Sequence, residues 1–140
     1  MKLGIPERRD VLGRKEIELL VSSFYQEVRA DGLLGPVFDE VAKVDWDEHI
    51  SKLCDFWETV LFRTGSYKGN PLAVHRHLAK DVEMGKMLFD RWLEIFVQTM
   101  DLHFRGENAD HLKRVAADMA QVIHSRLQEV PSIQIRRVAS

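Results

Sequence analysis

From Arg14 to Leu127 the apolar residues of this chain recur at intervals of three and four, and that spacing constrains its fold more than any other feature. Side chains three or four apart share one face of an α-helix, whereas a half-buried strand needs alternation at two. Ile17, Leu20, Val21, Phe24 and Val28 form the first stripe, which Asp31-Gly32 closes. Leu34-Gly35-Pro36 then turns a tight corner toward Val37 and Phe38. Asp45 with Glu48 three residues later resembles a capping box. It opens a stripe of Ile50, Leu53, Cys54, Phe56, Trp57, Val60 and Leu61 that stops around Gly65. Asn70-Pro71 reads as a cap followed by proline at the first helical position, where its missing N–H costs nothing. The helix it starts has room for two or three turns. Met87, Leu88, Trp92, Ile95, Phe96, Thr99 and Met100 share one broad face, which Gly106 ends. A last stripe from near Asn108 carries Leu112, Val115, Ala116, Met119, Ala120, Ile123 and Leu127. The spacing predicts an all-α fold of five substantial helices and one short one, with no sheet.

A chain of 140 residues is long enough for one domain with one core. The periodic region sets that domain at 14–128. Residues 1–13, with Gly4, Pro6 and Gly13, read as a flexible lead-in, and 129–140 as a C-terminal tail. Ile133 and Ile135 alternate like a strand, but a lone strand has no partner, so the tail is expected as extended coil. The formal charge of -2, with basic residues scattered among acidic ones, argues against a nucleic-acid partner. No apolar run reaches membrane-spanning length, and the N-terminus lacks the pattern of a signal peptide. Cys54, the single cysteine, forbids an internal disulfide and fits a reducing cytoplasm. It also excludes a CxxCH attachment site, so any haem would be held non-covalently.

Four polar residues fall on or beside the apolar stripes: Tyr25, His49, His75 and Trp92. A buried Tyr or Trp commonly fills volume and finds one hydrogen-bond partner, and a lone helical histidine is commonly structural or exposed. His75 and His77 fail as a metal pair, since positions two apart on a helix point about 200° from each other. HExxH, a carboxylate three residues before a histidine, a GxSxG elbow and a glycine-rich phosphate loop are all missing. One well-placed histidine, abundant Phe, Trp, Leu and Met, and a few inward donors suit a flat apolar cofactor with one axial imidazole.

The segments SFYQEVRADGLLGPVF, WDEHISKLCDFWETVLF, GSYKGNPLAVH and FDRWLEIFVQTM, in that order, resemble truncated haemoglobins of the third group. That bacterial family adopts a 2-on-2 helical sandwich around a b-type haem. The resemblance runs from about Lys15 to Leu127. It implies His75 as the proximal iron ligand, with Tyr25, His49 and Trp92 in the distal pocket. Phe38 matches an aromatic packed on the haem, and Leu53 and Trp57 match the inner side of the distal helix. Candidate propionate partners at the rim are Tyr67, Arg76, His77, Lys52 and Arg91.

For function, the resemblance implies reversible binding of O2 and other diatomics such as NO and CO, with cyanide or peroxide as further ligands. A pocket with several donors holds O2 tightly, which suits detoxification of NO or reactive species better than oxygen transport. Enzymatic versions, a NO dioxygenase-like or a peroxidase-like and peroxynitrite-reducing reaction, need an external reductase or electron donor. O2 storage, sensing and a haem-free helical interaction module remain open alternatives.

Overall fold

The apolar stripes become the buried faces of helices in the computed structural model, which describes residues 8–42, 45–65, 67–79 and 85–139. The described α-helices are α1 (Arg14–Ala30), α2 (Trp46–Phe62), α3 (Pro71–Leu78), α4 (Lys86–His103) and α5 (Glu107–Ala139). Four are long and α3 has eight residues, so the expected count of five long helices is too high by one. The corner after Pro36 holds only a six-residue π-helical turn, Val37–Ala42, because the Asp45 cap follows too soon for a longer element.

Local chemistry sets the ends of these helices. The Asp45 side chain accepts the Glu48 N–H, and the Asn70 side chain accepts the Ala73 N–H at 3.1 Å. The tail departs from expectation: α5 continues through Pro131 to Ala139 instead of passing into extended coil. Without a neighbouring strand, a helix is the conformation in which that backbone can close its own hydrogen bonds. On α4 the inward face begins at Leu88, which packs on the core, and continues with the buried Phe89, while Met87 is 71% exposed.

The helices form two packed pairs. α1 packs on α2 and α4 on α5, and α1 and α4 join the pairs, with α2 and α3 also reaching α5. Phe24 meets Tyr25, Trp92 and Phe96 edge-on, and Phe96 stacks on both Trp57 and Trp92. Edge-to-face and offset-stacked pairs add to the burial that holds such a core together.

Of the lead-in expected over residues 1–13, residues 1–7 lie outside the described residues, and residues 8–13 are tied to the domain. Val11 is fully buried. The Asp10 carboxylate accepts the N–H groups of Asn108 at 3.0 Å and Ala109 at 2.8 Å, besides that of Val11 at 2.8 Å. Asn108 returns a side-chain hydrogen bond to the Val11 carbonyl at 2.7 Å. Asp10 therefore caps α5, satisfying amides that have no partner inside the helix. Gly106 makes the approach possible: its φ is 144°, and a Cβ there would lie 2.4 Å from the Asp10 carboxyl carbon.

Burial pushes the Asp10 carboxyl up, but the three amide hydrogen bonds outweigh it and hold the group below its ordinary value. Asp10→Ala is expected to cost about 1–2 kcal/mol, in line with other lost caps. Because the folded pKa is depressed, the contribution is complete above the unfolded value of about 3.9 and is lost as pH falls through the folded one. Urea midpoints of the two proteins, taken from pH 7 downward, should differ at neutral pH and converge in acid.

Candidate functional site

Between the helix pairs lies a cavity of about 410 Å³, lined mainly by apolar and aromatic side chains from all five helices and the π-turn region. Its distinctive polar group comes from the shortest helix. Pro71 and the Asn70 cap fix the start of α3, and one turn on, His75 turns its ring into the lining. The His75 Nδ1 lies 2.7 Å from the Pro71 carbonyl oxygen. A carbonyl can only accept, so Nδ1 carries the proton and Nε2 keeps its lone pair. Burial lowers the proton affinity of this imidazole, and the Pro71 carbonyl opposes that only in part.

Three polar side chains reach the cavity from α1, α2 and α4. Tyr25 is buried, and burial pushes its hydroxyl up to about 12 against the opposing effect of the Trp92 hydrogen bond. The hydroxyl is therefore a neutral donor at any physiological pH. The Trp92 indole N–H donates to the Tyr25 oxygen at 3.5 Å. That long bond uses the oxygen as acceptor and leaves the tyrosine proton available. His49 has its Nε2 buried with no hydrogen-bond partner among the described residues. Burial first, then the Lys52 ammonium and the neighbouring His75, lower it to about 4, so it is a neutral imidazole near pH 7. Phe38, Leu53 and Trp57 complete the lining around them.

The residues expected at the rim divide. Tyr67, Lys52 and His77 line the cavity, His77 from an exposed position. The Tyr67 ring lies over Gly69, where a Cβ would come within 2.4 Å of its hydroxyl oxygen. Arg76 is exposed and outside the lining. Arg91 is outside it too, because Asp31 binds its guanidinium at 2.7 Å and Glu94 takes the other side. Asp31 also accepts the Leu33 and Leu34 N–H groups and is held below the ordinary carboxylate range, first by Arg91.

Several lining residues are not evident from sequence reasoning, among them Leu34, Phe56, Val74 and Phe89. Phe89 carried a usable signal, since it stands three residues before Trp92 and seven before Phe96. Its ring lies 6.2 Å from that of His75 and 5.4 Å from that of His124. Cys54 takes no part: it is buried, and burial raises its thiol to about 11. Among the described residues, no three His, Cys, Asp or Glu side chains gather as a metal site, and no helix is long and apolar enough to cross a membrane.

Two helix pairs packed face to face, an apolar cavity between them and an imidazole held in it by a backbone carbonyl define a globin of the 2-on-2 class. The family model for bacterial-like globins matches residues 10–125. The chain is 30% identical over 124 residues to the group 3 truncated hemoglobin ctb of Campylobacter jejuni, covering 86% of this chain and 92% of that one. The crystal structure of a group III truncated hemoglobin from Campylobacter jejuni shares the fold with a TM-score of 0.76 at 27% identity. It covers 86% of this chain and 95% of that one. The chain belongs to the bacterial-like globins, as a truncated haemoglobin of the third group. At the level of the family, that makes it a haem globin whose ligands are diatomic gases.

Proposed function

We propose that the chain holds b-type haem through His75, binds O2 and other diatomics beside Tyr25, and uses the bound gas to remove NO. The observation that carries this reading is the His75 imidazole, whose Nδ1–H is committed to a backbone carbonyl while Nε2 remains free in an apolar cavity. A second polar carbonyl or carboxylate partner fixing the non-coordinating nitrogen is the usual arrangement for a metal-binding histidine. The lining also fits the cofactor: it is apolar where a porphyrin needs burial, and the buried Nε2 of His49 is without a partner among the described residues.

Haem held by His75 would supply an iron able to bind a diatomic gas and to exchange electrons with it. The chain's own side chains then set selectivity and lifetime. Tyr25 would donate a hydrogen bond to the gas, and Trp92, whose N–H takes the Tyr25 oxygen as acceptor, would leave that hydroxyl hydrogen free to do so. His49 stays neutral and offers either a donor or an acceptor at its Nε2. Phe38, Leu53 and Trp57 exclude water, so each of these hydrogen bonds counts for more than it would in solvent. Tyr67, Lys52 and His77, which line the cavity, would meet the carboxylates of the cofactor edge.

Removal of NO balances as NO plus O2 plus one electron giving nitrate, so continued turnover requires an electron donor. The rival peroxidase-like reading is disfavoured by the partner of His75. A carboxylate would raise the electron donation of the imidazole, and here the partner is the neutral Pro71 carbonyl. The deciding experiment mixes the reduced, oxygen-loaded protein with NO in a stopped-flow cell and then supplies an electron donor. Nitrate formed well beyond one equivalent supports the proposal. Oxidation limited to one equivalent would leave an O2-binding protein in place of an enzyme, and a missing Soret band after haem supply would leave a haem-free helical module.

A further inference from the structure

We propose that Arg29, Asp39 and Trp46 form a latch on the outer side of the cavity that keeps its ligand-binding end closed and sets how fast small ligands enter. The inference rests on the haem reading for the entering ligand, while the latch itself is visible in the side chains. Each residue comes from a different element: Arg29 from the last turn of α1, Asp39 from the π-turn and Trp46 from the first turn of α2.

The three make a closed triangle. The Trp46 indole N–H donates to Asp39 Oδ1 at 2.8 Å. The Arg29 Nε lies 3.8 Å from the same oxygen. The Arg29 guanidinium carbon stands 4.6 Å from the Trp46 ring centroid, within cation–π range. Trp46 does not line the cavity, yet its ring lies against three residues that do: Tyr25 at 5.9 Å, Phe38 at 5.7 Å and His49 at 5.6 Å. The indole is half-buried, so it stands between those three and solvent. It is the outer wall of the part of the cavity that carries the donors.

The latch bears on His49 through the helix it fastens. Trp46 is one turn before His49, and the first turn of α2 has only two described backbone-capping bonds: His49 N–H to the Asp45 carbonyl at 2.8 Å and Glu48 N–H to the Asp45 carboxylate at 3.3 Å. First turns of helices fray because their amides lack intrahelical partners. Without the indole held by Asp39 and covered by Arg29, that turn loses its polar tie to α1 and the π-turn and keeps only the ring contacts of His49 with Tyr25 and Phe38. The Asp39 side chain is 41% exposed, so removing it costs little packing. The tie is then directional: an indole donating to a charged acceptor, with a cation stacked on the ring.

The test uses Asp39→Ala, Trp46→Phe and the double variant, read in two independent ways. Hydrogen exchange at the Glu48 and His49 amides reports the first turn of α2 whether or not haem is bound. Carbon monoxide rebinding after flash photolysis of the reduced haem protein reports entry. Each single variant is expected to speed both by about tenfold, as the loss of one charge-assisted hydrogen bond allows. The double variant should be no faster than the singles, because all remove the same device. Exchange unchanged in Asp39→Ala, or rebinding within twofold of the parent, would overturn the latch. Loss of haem absorption in the parent protein would sink the haem reading alone, leaving the exchange measurement to decide whether the tie exists.

Discussion

Replacing His75 with alanine is expected to abolish stable haem binding, whereas His77→Ala should leave the visible absorption spectrum nearly unchanged. The two imidazoles sit on the same short helix and differ in what surrounds them. The His75 ring is oriented by the Pro71 carbonyl and presents Nε2 to the cavity, while His77 lies two positions further round, exposed. Two residues on a helix correspond to a rotation of about 200°, so one geometry cannot serve both. Size-exclusion chromatography of reconstituted protein, read at the Soret band, checks the expectation. Free imidazole should restore the band to His75→Ala, which separates loss of the ligand from loss of the fold. Retention of haem by His75→Ala together with its loss from His77→Ala would reverse the assignment.

Tyr25→Phe should speed O2 dissociation by about 10- to 100-fold, the range for losing one hydrogen bond to a partly charged partner in a dry site. Burial lifts the Tyr25 hydroxyl to about 12, so it donates at neutral pH and does not titrate away. Trp92→Phe should have a smaller effect with the same sign. Its N–H acts on the tyrosine oxygen at 3.5 Å, and its loss frees the hydroxyl to rotate without removing the donor. In Tyr25→Phe the indole N–H is released and can address the ligand itself, so the double variant should dissociate faster than Tyr25→Phe alone. Stopped-flow displacement of O2 by carbon monoxide measures all four proteins. Equal off-rates across the set would remove Tyr25 and Trp92 from ligand stabilisation.

Features that depend on residues close in sequence could be read from it, and those that depend on distant partners could not. Helix α3 was legible because Asn70 and Pro71 carry their own instructions for starting a helix, and the Asp45 cap was legible for the same reason. The α4 face starts one residue later than the spacing predicts, at Leu88 and not Met87, since Met87, Leu88 and Phe89 are all apolar and periodicity cannot choose among adjacent candidates. Only packing against α5 buries Phe89 and leaves Met87 outside. The tail was misread because Ile133 and Ile135 alternate, although α5 carries its own backbone bonds onward. At the site, the inward positions of Tyr25 and His75 followed from their spacing to neighbouring apolar residues. That Trp92 addresses Tyr25, 67 positions away, did not. Nor did the pairing of Arg91 with Asp31 across 60 positions, which takes a rim candidate away from the cavity.

The cap that Asp10 places on α5 has a consequence for how the chain is made. Asp10 leaves the ribosome 98 residues before Asn108, whose amide it accepts. At about 5–20 residues per second, α1 and α2 have seconds in which to pair before that amide exists. The Asp10 carboxylate must therefore wait for its partners until α5 emerges. Closing so long a loop is entropically costly until other contacts have brought its ends together. The cap thus belongs to the last stage of assembly, and its loss should appear chiefly as faster unfolding and not as slower folding.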